Sequence, residues 1–301
     1  MRIKTSIIVL LLVLSLILVS FLNLGIVNAQ STIYTRENGS VEGTDKIQLN
    51  EDIYTFIADA VIDGDIIVQR SNIIIDGNGH ALQNARLIIS GLDNITVKNM
   101  FIKDGYYGNH AVSIGISGID VTNSSFITIM NNTVTGTTFN TNEAGIRIVG
   151  GNSNVIVGNT IAGNQKGLTV SNTIDFETFI PIEVLVYNNN FYNDFDIEFF
   201  ITSGSHIQNS TISFSNGTQG NFWYKYNGTD ADGDGIGDTP YVISSLVHYF
   251  TDDNPLMEPY GNPIVEIPEF PSWIILPIFL TATLIGILFR KRLMKTRTSD
   301  S

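Results

Sequence analysis

The residues whose types and spacing most resemble a chemical site form one short acidic stretch, Asp230-Ala231-Asp232-Gly233-Asp234-Gly235-Ile236-Gly237-Asp238. Alternate residues of a tight loop can turn their oxygens to one side, and Ca²⁺ needs several such oxygens in a flexible cage. Asp230, Asp232 and Asp234, with Gly235 for the turn, match the first half of an EF-hand-type calcium loop. On that pattern Ile236 would offer its backbone carbonyl and Asp238 a direct or water-mediated contact. Tyr241 stands where the twelfth-position Glu is usual, so a remote carboxylate, Asp252 or Asp253, would have to complete the sphere. The competing reading is a polar Asp-Gly loop that holds no ion.

Other chemistries find less support. His80, His110, His206 and His248 are scattered and cysteine is absent, so no cluster for a soft metal is evident. Glycoside hydrolysis or polysaccharide elimination needs paired carboxylates, or a base with a cation, on one face. Glu143, Arg147 and Lys166 are the one set that could meet across neighbouring repeats, and a surface salt bridge explains them far better than catalysis. No catalytic residue is assigned. Asp76 and Asp104 belong to Asp-Gly pairs and read as turn residues. Asn-X-Ser/Thr sequons begin at Asn38, Asn94, Asn123, Asn131, Asn209, Asn216 and Asn227. Asn38, Asn216 and Asn227, in Gly-bearing loops, are the preferred acceptors. Asn94 and Asn131 lie inside repeats, where a glycan would obstruct stacking.

The elements that must position these residues are set by a repeat. A β-branched stretch, a polar pair, Asn and another apolar residue recur from Ile73-Ile74-Ile75-Asp76-Gly77-Asn78 to His206-Ile207-Gln208-Asn209. Ile75, Val97, Ile129, Ile156, Val186 and Ile207 are equivalent, recurring every 21 to 32 residues. A second short strand precedes most of them, as in Leu87-Ile88-Ile89, Ile146-Arg147-Ile148 and Leu168-Thr169-Val170. Two or three short strands per repeat, with Gly and Asn at the corners, predict an all-β, right-handed parallel β-helix. Its inward column should be the six apolar residues named. An Asn ladder should form at Asn78, Asn132, Asn159 and Asn189, broken at Met100 and Ser210. The segments Thr135 to Asn142 and Asn172 to Pro181 should be loops on one face. A two-sheet sandwich is the competing architecture.

The ends predict export and anchoring. Arg2 and Lys4 precede an apolar run, and Val27-Asn28-Ala29 offers small residues for cleavage after Ala29, so residues 1–29 read as a signal peptide. An uncleaved anchor is the alternative. Ser272 to Phe289 is apolar and just long enough to cross a bilayer, with Trp273 at its outer edge. Arg290, Lys291, Arg292, Lys295 and Arg297 follow at once and should stay on the cytoplasmic side. The predicted order is an N-terminal cap (30–65), the β-helix (66–215) and a C-terminal cap with the acidic loop (216–262). A linker with a sorting motif (263–272), a transmembrane helix (273–289) and a basic tail (290–301) complete it. The chain carries 16 Lys and Arg against 29 Asp and Glu, a net charge of −13, and much of the basic charge sits at the two ends. Such an acidic ectodomain repels nucleic acid and attracts cations. Without cysteine it must rely on burial, backbone hydrogen bonds and metal.

Three stretches carry a resemblance: Ile47 to Gly79 with Ser71-Asn72-Ile73-Ile74-Ile75-Asp76-Gly77-Asn78, the repeats themselves, and Gly220-Asn221-Phe222-Trp223 followed by the acidic loop and Asn254-Pro255-Leu256. In these the chain resembles the NosD-like right-handed β-helix family, of pectin-lyase-like fold, common as archaeal surface proteins. Pro268-Glu269-Phe270-Pro271-Ser272, then an apolar span and basic residues, resembles an archaeal sorting signal of the kind cut by archaeosortases. The family's association with copper transfers badly to a chain without cysteine and with scattered histidines. Taken together, the sequence predicts a non-catalytic, membrane-anchored surface module that binds carbohydrate or contributes to the cell envelope, with polysaccharide or surface-layer components as its partners. The alternative is a polysaccharide lyase or glycoside hydrolase of the β-helix type.

Overall fold

A computed structural model describes residues 32–103, 117–136, 144–174, 179–180, 182–200, 210–244 and 249–261. The signal, sorting and membrane segments, Glu143, Asp104, Ile207, Asn209, His110, His206 and His248 lie outside these residues. Among the described residues no helix is long and apolar enough to cross a membrane.

The chain winds through three faces in a fixed order, and strands within each face pair in parallel. The first face stacks Ile53–Phe56, Ile73–Asp76, Asp93–Lys98, Ser125–Met130, Gly151–Val157, Ile182–Tyr187 and Thr211–Ser213. The second stacks the start of Ala81–Ser90, then Phe101–Lys103, Thr133–Thr135, Thr160–Ala162, Asn190–Tyr192 and Phe222–Trp223. The third stacks Ala60–Val68, the end of Ala81–Ser90, Ser117–Thr122, Ala144–Val149, Lys166–Ser171 and Phe195–Phe200. This is a parallel β-helix. Parallel pairing reaches beyond 66–215 at both ends, taking in Ile53–Phe56 and Phe222–Trp223.

Alternation sets the core, because a strand's successive side chains point to opposite faces. Tyr54, Ile75, Val97, Ile129, Ile156 and Val186 pair in register, all essentially without exposure. The expected sixth member of this column was Ile207. The pairs Val184 with Ile212 and Leu185 with Ser213 place Phe214, not Ile207, after Val186. On the third face Leu87, Ile119, Ile146, Leu168 and Ile197 form an equivalent buried row. Removing one such side chain, for example by Ile156→Ala, should cost about 2–5 kcal/mol.

Between the first and second faces runs an asparagine ladder. The Asn132 backbone N–H and Nδ2 both donate to Asn159 Oδ1, at 2.9 and 3.0 Å. Asn159 does the same to Asn189 Oδ1, and Asn189 to Asn221 Oδ1. Each amide's second donor goes to a carbonyl of the first face: Val97, Ile129, Ile156 and Val186 in turn. Asn fits here because one oxygen and two N–H groups satisfy three needs at a buried corner, which a Ser hydroxyl could not. Met100 occupies the place before Asn132 and gives its N–H to Asn132 Oδ1. Two expectations are corrected. The place after Asn189 is Asn221, not Ser210, whose hydroxyl accepts from Ile182 N–H instead. Asn78 stands apart from the ladder, at φ +50°, with its Nδ2 3.5 Å from Phe56 O.

The two ends of the solenoid are finished differently. Ile47–Asn50 folds back antiparallel on Ile53–Phe56 at the first coil. At the last coil the hairpin of Tyr241–Ser244 and Tyr249–Asp252 brings aromatic rings over the core. Trp223, 1% exposed, stacks between Phe191 (4.6 Å) and Tyr241 (4.8 Å), while Phe250 meets Phe199 at 4.4 Å. Covering the end hides the open core and strand edges.

Candidate functional site

The acidic loop is already folded by its own carboxylates. Asp230 Oδ1 accepts from Gly233 and Asp234 N–H, and Oδ2 from Gly235 N–H, at 2.7 to 3.2 Å. Burial opposes ionisation of Asp230, but these backbone donors outweigh it and hold its carboxyl below the ordinary range. Gly233 and Gly235 take positive φ, +75° and +85°, which lets the turn close without a Cβ penalty. Asp230, Asp232 and Asp234 each offer an oxygen within 4.8 Å of the others, close enough for one cation to touch all three. Asp238 is directed differently: its Oδ2 accepts from Ala231 N–H and the Thr229 hydroxyl, tying the loop's neck.

Ile236 and Leu256 face each other antiparallel, flanked by the bonds Gly237 N–H to Pro255 O and Met257 N–H to Gly235 O. That pattern turns Ile236's own polar groups away from Leu256. Its N–H donates to Asp234 Oδ1. Leu256 also bridges to Phe222 of the last coil, so the loop is joined to the solenoid's end. The converging donors are three carboxylates, all oxygen, which fits a hard cation that takes six to eight oxygens and keeps water for the rest.

Asp252 does not complete this sphere. It is fully buried, and its Oδ2 accepts from Asn221 N–H (2.6 Å) and Trp223 Nε1 (2.8 Å), its Oδ1 from Asn254 N–H. It therefore terminates the asparagine ladder. Every rung donates towards the C-terminal end, so the last partner must offer acceptors, as the carboxyl oxygens of Asp252 do. Gly220 makes room: a Cβ there would stand 1.7 Å from Asp252 Oδ1. A second ladder, between the second and third faces, ends the same way. Asn164 donates to Asn193 Oδ1, and Asn193 N–H to Asp196 Oδ1. Burial pushes both the Asp196 and the Asp252 carboxyl above the ordinary range, against their hydrogen bonds.

On the outer side of the third face, Arg147 and Thr169 are cross-strand partners, as the repeat predicts. Arg147 Nη1 lies 2.9 Å from Asp120 Oδ1, and Lys166 pairs with Glu198 on the next coil. The structure thus gives the suspected catalytic cations carboxylate partners within the face. Asp76 behaves as a turn residue, accepting from Asn78 N–H and Asn99 Nδ2. His80 sits at the surface, 3.1 Å from Asp59. Asn38, Asn216 and Asn227 are exposed. In the first two the sequon hydroxyl, of Ser40 or Thr218, reaches the Asn Oδ1. The Nδ2 of Asn94, by contrast, donates to Asn72 Oδ1.

One feature of the surface was missed at the sequence level. At the corner between the second and third faces, the last coils enclose an open groove of about 720 Å³. Tyr192, Phe195 and Tyr224 line it with Asp194 and Lys225. Phe195 and Tyr224 are 63% and 70% exposed. The signal available was three aromatic residues at corners, in Tyr192-Asn193-Asp194-Phe195 and Tyr224-Lys225, where solvent would favour polar ones. Compared with known proteins, the chain matches no protein-family model and no curated protein.

Proposed function

We propose that this protein is a non-catalytic cell-surface module, exported and anchored by its C-terminal helix, that binds carbohydrate or contributes to the cell envelope. The observation that carries this reading is a division of labour on the surface. Charged residues of the third face are tied to one another across coils, Asp120 with Arg147 and Lys166 with Glu198. The large side chains left open to solvent include the aromatic rings of Phe126, Phe195 and Tyr224. Bound charges hold the face; open rings offer contact area. In this reading Ca²⁺ sits among Asp230, Asp232, Asp234 and the Ile236 carbonyl and fixes the cap, with Asp238 bracing the neck.

The stretches that resemble NosD-like surface proteins, and the apolar runs with basic flanks at the two ends of the sequence, support the same reading. So do the sequons at Asn38, Asn216 and Asn227, which are usable once the chain is exported. The test is a glycan array probed with the full-length protein in calcium, using a detergent without a sugar headgroup. Retention of a defined set of glycans is the expected result. Absence of retention across the array would remove the carbohydrate reading.

A further inference from the structure

The groove between the second and third faces deepens that reading, and rests on it. We propose that Tyr192, Phe195 and Tyr224 form a stacking platform for a neutral polysaccharide chain. The platform is built by register. Phe191 pairs with Trp223, so Tyr192 and Tyr224 occupy successive coils at the same corner, with ring centroids 5.7 Å apart. Phe222 packs on Tyr192 at 5.5 Å and supports it along the coil. Phe195 follows at the start of the third face and opens onto the same groove.

The backbone beneath is fixed before any ligand arrives. Asn164 and Asn193, both buried, belong to the second ladder and leave little freedom at the corner. Lys225 is held by the carbonyls of Asn193 (2.9 Å) and Asp194 (2.6 Å), so its ammonium is positioned. A preformed surface of this kind loses little entropy on binding. Aromatic rings offer apolar faces to the C–H surface of a sugar, while a carboxylate and an ammonium at the edge can meet its hydroxyls.

Charge selects the class of sugar. The chain carries a net charge of −13, which repels uronic acids and other anionic glycans. At the groove, Lys225 lies 3.9 Å from the buried Asp196 carboxylate and Asp194 adds a second negative charge, so nothing there favours an anion. The shape is an open trough across coils and not an enclosed pocket, which suits a segment of a chain.

The experiment is calorimetric titration of the full-length protein, in a detergent without a sugar headgroup, with cellohexaose, laminarihexaose, mannohexaose and polygalacturonate. At least one neutral probe should bind. Tyr224→Ala and Phe195→Ala should each weaken it tenfold or more, with unchanged melting temperature because both rings are largely exposed. If a neutral probe binds and both variants bind it equally well, the groove is overturned while the carbohydrate reading survives. Binding of polygalacturonate alone would overturn the choice of a neutral sugar. If none of these probes binds and the glycan array is also blank, both the groove and the carbohydrate reading fall. Sedimentation of the same samples adds a last outcome: a wild-type dimer that Tyr224→Ala dissociates would make the rings an interface between copies, against the proposal.

Discussion

Asp252 and the aspartates of the 230–238 loop have the same side chain in opposite surroundings. Asp252 is wholly buried and spends its oxygens on Asn221, Trp223 and Asn254. Asp232 and Asp234 are exposed, and the bonds they accept are local, from Asp234 N–H and Ile236 N–H. A buried carboxylate with several donors closes a hydrogen-bonded chain and becomes part of the fold. Exposed carboxylates crowded within 4.8 Å of one another repel unless a cation joins them. The difference teaches that, near the C-terminal end of this solenoid, burial rather than residue type separates a carboxylate tied into the fold from carboxylates left open to solvent.

The comparison breaks most visibly if Asp252 proves dispensable. Asp252→Ala strips acceptors from Asn221 N–H, Trp223 Nε1 and Asn254 N–H, and each stranded buried donor costs about 1–3 kcal/mol. A total loss of about 3–5 kcal/mol is expected after partial relaxation and water entry. Denaturant unfolding of the full-length protein checks this, and a loss no larger than that of an exposed substitution would refute the ladder's terminus. Gly220→Ala should reproduce much of the effect, since its Cβ would displace the same carboxylate.

The loop gives the next largest effect. An ion that binds only the folded state stabilises it by about 2.7 kcal/mol at a hundredfold excess over its dissociation constant. Calcium should therefore raise the melting temperature and chelator lower it, and the double substitution Asp232→Ala, Asp234→Ala should erase the difference. Superimposable wild-type curves with calcium and chelator would leave a polar loop without an ion.

A smaller effect separates the two regions by pH. Burial raises the folded-state pKa of Asp252, so its contribution is full below the unfolded carboxyl value, about 3.9. That contribution fades as pH rises through the raised folded value. Asp230 is shifted the other way, so its contribution is present above the unfolded value and lost as pH falls through the lowered one. In chelator, the stability of wild type relative to Asp252→Asn should decline from about pH 4 towards neutrality. For Asp230→Asn the wild-type advantage should instead appear only as pH rises above the acid range. A flat profile for Asp252→Asn would mean that burial does not hold this carboxyl high.

The solenoid was legible because its cause is periodic. β-Branched residues before an Asn at Asn132, Asn159 and Asn189 reveal both the buried column and the ladder, since only an inward face needs the first and only a tight corner the second. Legibility failed where the period changed. His206-Ile207-Gln208-Asn209 imitates the repeat, yet the coil registers through Thr211–Ser213, and the ladder resumes at Asn221 behind Gly220. The acidic loop was readable from spacing alone. The role of Asp252 was not, because its partners lie about thirty residues away and nothing local distinguishes it from Asp253. The groove was hidden for a related reason: each coil contributes only one or two of its rings, and register alone brings them together.

The central claim is that this surface binds without cleaving. Incubating the calcium-loaded full-length protein with neutral and acidic polysaccharides, and assaying for new reducing ends and unsaturated sugars, tests it most directly. No product above a heat-denatured control is expected. Product released by the wild type and lost in Glu143→Gln would contradict the claim and make the β-helix the scaffold of a polysaccharide-modifying enzyme.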